Sequence, residues 1–169
     1  MIGDLLFDAP SIATRVRELG AEIARDYAGK TPVVLGVLNS AAVFLADLMR
    51  AIEIPCEYDV LAVTKFSEHE GIRFQKDTSA SLEGRHVILV EDTIDTGMTL
   101  QYIVKALRAR EPASLAVCAL LDRPARRIAD IEIKYRGFEI PDVYVVGYGL
   151  DYHGRYRELQ GLYAHGTWP

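Results

Sequence analysis

The sequence predicts an α/β fold with a parallel sheet at its core, and three observations carry that prediction. Short apolar runs rich in branched residues, at 33–38, 86–90 and 115–121, have the composition of strands buried on both faces. The stretches between them place apolar residues every three or four positions, the spacing of one helix face. Strand, helix and strand at these intervals make the crossover unit from which parallel sheets are assembled.

Taken in order, the elements begin with a helix: Ile12, Val16, Leu19 and Ile23 recur at steps of four, three and four, and Gly29 followed by Pro32 supplies the stop. Residues 33–38 form the first buried strand. Asn39 and Ser40 make a turn, and 41–52 returns to helical spacing through Phe44, Leu45, Leu48 and Ile52. A further strand is expected over 57–63. Residues 64–85 break the rhythm, with Ser67, Glu68, His69, Glu70 and Gly71 together and no lasting apolar face, so a long loop or frayed hairpin is expected there. A strand at 86–90, a helix over 100–109, a strand at 115–121 and a last strand at 143–146, ahead of Gly147, Tyr148 and Gly149, complete the chain. With no internal repeat, low-complexity tract or linker, residues 1–169 are expected to form a single domain.

Composition narrows the function. A chain of 169 residues that is 50% hydrophobic and 25% charged can bury a core without staples, which excludes disordered and fibrous classes. Nineteen basic against 24 acidic residues give a net charge of -5, so the broad basic footprint of a nucleic-acid binder is missing and no nucleic-acid partner is expected. A small anion needs only a local cluster of donors. Cys118 inside an apolar run and Cys56 beside Pro55 read as free structural thiols, which suits a reducing compartment. No apolar run approaches the roughly 20 residues of a membrane helix, and residues 1–8 lack a basic leader region, so a cytoplasmic location without a membrane partner is expected. His153 and His165 have no ligand-spaced partners, and zinc is not expected.

The segment Val87-Ile88-Leu89-Val90-Glu91-Asp92-Thr93-Ile94-Asp95-Thr96-Gly97-Met98-Thr99 carries the chemistry. A buried strand runs into two carboxylates and then into a short loop that opens a helix. Free backbone N–H groups and the helix dipole at such a junction favour an anion, so 95–99 is able to cradle a phosphate, with Gly97 allowing close approach. The segment lacks the Gly-Lys-Ser/Thr ending of a Walker loop. Glu91 and Asp92, pure acceptors when ionised, suit ribose hydroxyls or a magnesium ion. The ligand suggested is a ribose phosphate.

These residues resemble the phosphoribosyl-diphosphate signature of the type I phosphoribosyltransferases, specifically the hypoxanthine-guanine branch. The resemblance extends to the turn at 120–124 and to Gly137-Phe138-Glu139-Ile140-Pro141-Asp142 leading into 146–152. It implies a parallel-sheet core flanked by helices, with a small hood from the chain termini. It implies purine salvage: transfer of phosphoribosyl from phosphoribosyl diphosphate to hypoxanthine or guanine, giving IMP or GMP and pyrophosphate, with Mg2+ as cofactor and a homodimer or homotetramer as assembly. By position, the resemblance gives Glu91 and Asp92 the ribose hydroxyls and makes Asp95 the catalytic group facing purine N7. Asp95, Thr96, Gly97, Met98 and Thr99 take the 5'-phosphate, and Asn39, Ser40 and Arg157 the pyrophosphate. Arg123 takes the 6-oxo group, Tyr144 stacks on the base, the Val145 backbone reads its edge, and Asp151 lies at the base pocket. Asp151, Glu91 and Asp92 are the implied magnesium ligands, and Lys65 and Phe66 belong to a lid.

Three positions depart from the family pattern. Asn39-Ser40 stands where many members have Lys-Gly, Arg123 where they have lysine, and Lys65-Phe66, in a shorter loop, where they have Ser-Tyr. Arg126 and Arg127 read as structural or surface residues. Two alternatives stay open: a xanthine-preferring enzyme, and a non-catalytic nucleotide sensor on the same fold, against which the charge of -5 and the lack of a spare helix-turn-helix segment count.

Overall fold

The computed structural model describes residues 2–65 and 72–166. Strand β1 (Ile2–Phe7) leads into α1 (Ala9–Asp26), β2 (Val33–Leu38), α2 (Ala42–Ala51), β3 (Glu57–Lys65), β4 (Ile72–Lys76), β5 (His86–Ile94), α3 (Met98–Arg108) and β6 (Ser114–Asp122). A 3-10 turn at Pro124–Arg126 precedes β7 (Tyr135–Glu139), β8 (Tyr144–Val146) and β9 (Leu162–His165). The six-stranded sheet has the order β4-β3-β2-β5-β6-β7, parallel throughout except for β4, which runs antiparallel to β3.

Helix α1 starts where Asp8 accepts a hydrogen bond from the Ser11 amide at 2.8 Å, and its buried stripe is Ile12, Val16, Leu19 and Ile23. It crosses α2 closely: a Cβ added to Gly20 would lie 2.3 Å from the Ala51 carbonyl oxygen. Alternation sorts the strand residues between the two faces of the sheet. Val34, Ile88, Val90, Cys118 and Leu120 join α1 and α2 in one core, while Val33, Leu35, Val87, Leu89 and Val117 join α3 in the other. Both faces are covered, which is why β2, β5 and β6 read as continuous apolar runs.

One sequence expectation is met in part and another needs correction. The stretch expected as a loop or frayed hairpin is a hairpin in its first part: β3 runs on to Lys65 and pairs with β4, with 66–71 outside the described residues. The strand expected to be last, 143–146, is Tyr144–Val146, is followed by β9, and lies outside the main sheet. With β9 and β1 it forms a separate antiparallel sheet of order β1-β9-β8, the hood made from the two ends of the chain. The described residues include no helix long and apolar enough to cross a membrane.

The topology fixes where a ligand can sit. Strands β2 and β5 are neighbours, yet the connection after β2 leads to β3 on one side and the connection after β5 leads to β6 on the other. The two turns at their carboxyl ends therefore part and leave a crevice, the usual ligand position in an open α/β sheet. Residues 39–41 and 95–97 are those turns.

Candidate active site

Two adjoining cavities occupy the crevice. One, of about 210 Å³, is lined by Glu91, Asp95, Thr96, Gly97 and Thr99 together with Val37, Thr93, Ile94 and Leu100. The other, of about 200 Å³, is lined by Ser40, Asp92, Asp95, Arg123, Tyr144, Val145 and Asp151, with Thr93 and Leu150. Asp95 and Thr93 belong to both walls.

The first cavity is an anion cradle because of what its loop does underneath. The carbonyl of Ile94 accepts from the Arg123 amide at 3.1 Å and from Arg127 Nη2 at 3.2 Å. The carbonyl of Asp95 accepts from Arg127 Nε at 3.0 Å, and that of Thr96 from the amides of Ile128 and Ala129 at 3.0 and 2.9 Å. In a trans peptide the next residue's N–H points opposite to the carbonyl. With three successive carbonyls tied to the segment 123–129, the amides of Asp95, Thr96 and Gly97 turn away from it, to the side lined by the cavity. Gly97 caps α3 at φ 78, and a Cβ there would come within 3.2 Å of Ala129 Cβ and Arg127 Cδ. Gly97 has no side chain to cap the helix, and apart from a 3.4 Å bond from the Met98 amide to Thr96 Oγ1 the first-turn amides are left for a ligand among the described residues. The side chain of Met98 is exposed, so at that position only the backbone can serve an anion.

In the second cavity, Arg123 is almost completely buried and is held from both ends: one guanidinium nitrogen pairs with the Asp95 carboxylate and Nη2 donates to the Val143 carbonyl at 2.5 Å. Burial pulls the Arg123 pKa down while the Asp95 and Asp142 charges oppose that pull. The Tyr144 hydroxyl donates to the Asp151 carbonyl at 2.7 Å, which fixes its ring on the cavity wall. Arg157 ties the remaining pieces together, with Nη1 3.0 Å from Ser40 Oγ and 2.6 Å from the Gly149 carbonyl, and Nη2 2.8 Å from Asp151 Oδ1. Asn39 is exposed beside Ser40, and the Leu38-Asn39 peptide is cis.

The carboxylates divide between the cavities. Glu91 and Asp92 are consecutive strand residues and so face opposite ways, Glu91 into the cradle and Asp92 into the cavity with Asp151. The expected magnesium set of Glu91, Asp92 and Asp151 is therefore not gathered at one point, and among the described residues no three His, Cys, Asp or Glu side chains converge to hold a metal. Burial, with the adjacent Asp92 charge adding to it, holds the Glu91 carboxyl well above the usual range. Burial likewise pushes Asp92 up to about 6, against hydrogen bonds from the Thr93 and Asp92 amides. Carboxyls that ionise at such cost are relieved by hydroxyl donors or by a cation. A magnesium ion taking one or two carboxylates from the protein and the rest of its shell from substrate oxygens fits this donor set.

Of the lid pair, Lys65 is the last residue of β3 and Phe66 lies outside the described residues. Sequence reasoning missed Thr93, whose buried hydroxyl has no hydrogen-bond partner among the described residues and which lines both cavities. Its place between Asp92 and Ile94 was the available signal. Arg127 is structural, as expected, but what it supports is the anion cradle.

A crevice at the switch point that joins an anion cradle, two carboxyls and an aromatic-walled cavity has parts for a phosphate, a sugar and a planar ring. The chain belongs to the phosphoribosyl transferase domain family, whose sequence model matches residues 3–153. It is 40% identical over 163 residues to a hypoxanthine phosphoribosyltransferase of Haemophilus influenzae, covering 92% of this chain and 91% of that protein. It is 41% identical over 162 residues to a hypoxanthine-guanine phosphoribosyltransferase of Bacillus subtilis, covering 94% and 90%. A crystal structure of a hypoxanthine-guanine phosphoribosyltransferase from Bacillus anthracis superposes with a TM-score of 0.95 at 35% identity, covering 98% of this chain and 99% of that one.

Proposed function

We propose that residues 1–169 act as a single phosphoribosyltransferase domain in purine salvage, joining hypoxanthine or guanine to phosphoribosyl diphosphate to give IMP or GMP and pyrophosphate. The observation that carries this reading is the pairing of Asp95 with Arg123 on one cavity wall. A carboxylate acceptor beside a guanidinium donor matches one edge of a 6-oxopurine, where N7–H and the C6 oxygen are neighbours. Adenine presents an amino donor at C6 and would leave the buried guanidinium facing a like group.

In the reaction, base N9 forms a bond to ribose C1' as the bond from C1' to the pyrophosphate oxygen breaks, and Asp95 holds and then takes the N7 proton. The cradle formed by Asp95 to Thr99 keeps the 5'-phosphate in place, Glu91 and Asp92 orient the ribose hydroxyls, and Tyr144 with the Val145 backbone aligns the base. Arg157 with Asn39 and Ser40 receives the leaving group, whose growing charge the guanidinium stabilises by fixed electrostatics. Asp92, Asp151 or Glu91 would hold a magnesium ion bound with the substrate, which would supply charge neutralisation for the leaving group.

The free thiols Cys56 and Cys118 support a cytoplasmic setting. An apolar groove of about 450 Å³ along α2 and β3, where Tyr58 is 62% exposed, supports a homodimer or homotetramer.

The test is kcat/KM for hypoxanthine, guanine, xanthine and adenine on the wild type and on Arg123→Met. A site built on a specific hydrogen bond rejects the wrong group by roughly 10⁴ to 10⁵, so adenine should fall at background and Arg123→Met should erode the preference. Adenine use within tenfold of hypoxanthine refutes the base assignment. Preference for xanthine would move the enzyme to that substrate, and no turnover of any purine would leave a sensor.

A further inference from the structure

A partly buried hydrogen bond outside the cavities described above bears on the pyrophosphate end of the site. The Tyr148 hydroxyl donates to Asp47 Oδ2 of α2 at 2.5 Å, with Tyr148 only 9% exposed. Burial, reinforced by the bond to Asp47, pushes the phenol up, so it remains a donor at any working pH. Tyr148 stands at φ 49 between Gly147 at φ 100 and Gly149 at φ 96. A left-handed backbone is unfavourable for a residue with a Cβ, so a tyrosine in this position has to be held there by something else.

What it holds is the turn that carries Arg157. The Tyr148 amide donates to Leu159 at 2.8 Å and the Gly149 amide to Arg157 at 3.0 Å. The Gly149 carbonyl in return accepts from Arg157 Nη1, whose other contact is Ser40 Oγ. A Cβ on Gly149 would lie 2.6 Å from the Ser40 carbonyl oxygen, so this turn and the turn after β2 touch backbone to backbone. From these contacts we infer that the Tyr148–Asp47 hydrogen bond is a positioning device: by pinning the 147–149 turn to α2, it sets Arg157 and Ser40 at the spacing that receives pyrophosphate. The inference rests on the proposed role of Arg157 and Ser40. It assigns Tyr148 and Asp47, which touch no substrate, to recognition of one substrate group.

The experiment is calorimetric titration of inorganic pyrophosphate with magnesium into the wild type, Tyr148→Phe, Asp47→Ala, Asp47→Asn and the Tyr148→Phe/Asp47→Ala double variant, alongside KM for phosphoribosyl diphosphate and for hypoxanthine. Small misplacements from remote substitutions cost up to roughly 10²-fold, and here about tenfold weaker pyrophosphate binding is expected for Tyr148→Phe and Asp47→Ala. The KM for phosphoribosyl diphosphate should rise in parallel, with the KM for hypoxanthine unchanged. Asp47→Asn, which keeps an acceptor oxygen, should stay close to the wild type, and the double variant should be no worse than either single one. A lowered Tm with unchanged pyrophosphate affinity would reduce the bond to a structural role and overturn the inference, as would equal losses for pyrophosphate and hypoxanthine. Because the titration needs no turnover, a wild type that binds pyrophosphate yet transfers to no purine refutes only the reaction. A wild type that does not bind pyrophosphate refutes the inference itself.

Discussion

Replacing Arg127 by methionine separates the support of the anion cradle from the cradle itself. Arg127 donates to the carbonyls of Ile94 and Asp95 and pairs with Asp122, whose side chain is 2% exposed and keeps Arg136 Nε at 2.9 Å as its other partner. The Ile94 carbonyl retains the Arg123 amide, but the carbonyl of Asp95 loses its donor. Leaving a buried carboxylate half-paired and a carbonyl unpaired costs about 3–5 kcal/mol. Against a total stability of about 5–15 kcal/mol, the variant should fold with a clearly lower urea midpoint. The binding effect is separate. If the freed Asp95 peptide rotates, the Thr96 amide no longer faces the phosphate, and one hydrogen bond to a charged group is lost, about 1.5–3 kcal/mol or roughly 10- to 10²-fold. Titration with IMP and with inosine at a urea-free, fully folded temperature isolates that term: IMP affinity should fall by this factor while inosine affinity holds. Equal losses for the two ligands, or no loss for either, would refute the claim that the carbonyls tied to 123–129 aim the amides.

Two further outcomes follow from named groups. Asp95→Asn should turn over roughly 10² to 10⁴ times more slowly, the range for a lost general base, as read from kcat beside an unchanged circular dichroism spectrum, with a lowered Tm because the buried Arg123 loses its carboxylate partner. Asp59 is raised by burial, but the Thr78 hydroxyl, the Val60 and Ser79 amides and Lys76 outweigh that and hold its pKa well below the model-peptide value. With the folded value depressed, its contribution to stability is present above about pH 4 and is lost as pH falls through the folded pKa. The Tm gap between wild type and Asp59→Asn should therefore be open at pH 7 and close towards pH 2, and a gap that widens on acidification would reverse the sign of the argument.

What could be read from the sequence was what is local. Residues 33–38, 86–90 and 115–121 are buried on both faces, so their strands announce themselves without any partner in view, and the motif at 91–99 carries its own strand-to-helix turn. Strand β1 is mostly exposed, and β4 and β7 lie at the sheet's edges, so each lacks the pattern that double burial imposes. The site's electrostatic connections were out of reach for a different reason. Arg123 meets Asp95 across 28 residues and Arg157 meets Ser40 across 117, pairings set by chain topology that leave no trace in spacing. The split of Glu91 and Asp92 between two cavities was legible in principle, since a strand of period two separates neighbours, but only once β5 was known to extend through Ile94.

The charges around the crevice define how it handles a polyanionic substrate. Glu91, Asp92, Asp95 and Asp151 line the cavities, and the guanidiniums that reach them, Arg123 and Arg157, are each already paired with one of those carboxylates. Asp95 and Asp151 are offset by their guanidiniums and burial opposes ionisation of Glu91, so a diphosphate entering this field meets like charge chiefly from Asp92 above about pH 6, on a chain whose net charge is -5. Neutral donors fixed in place, the amides of the cradle, can hold the 5'-phosphate without adding to the charge count. On the proposed reading the diphosphate would fall to Arg157, whose guanidinium is shared with Asp151, and to a divalent cation that suits the carboxylates. On the same reading the Asn39-Ser40 turn, which offers no cationic side chain, would put still more of that task on the cation and on the placement of Arg157, so that the hydrogen bond between Tyr148 and Asp47 would bear on affinity at that end of the crevice and not at the base.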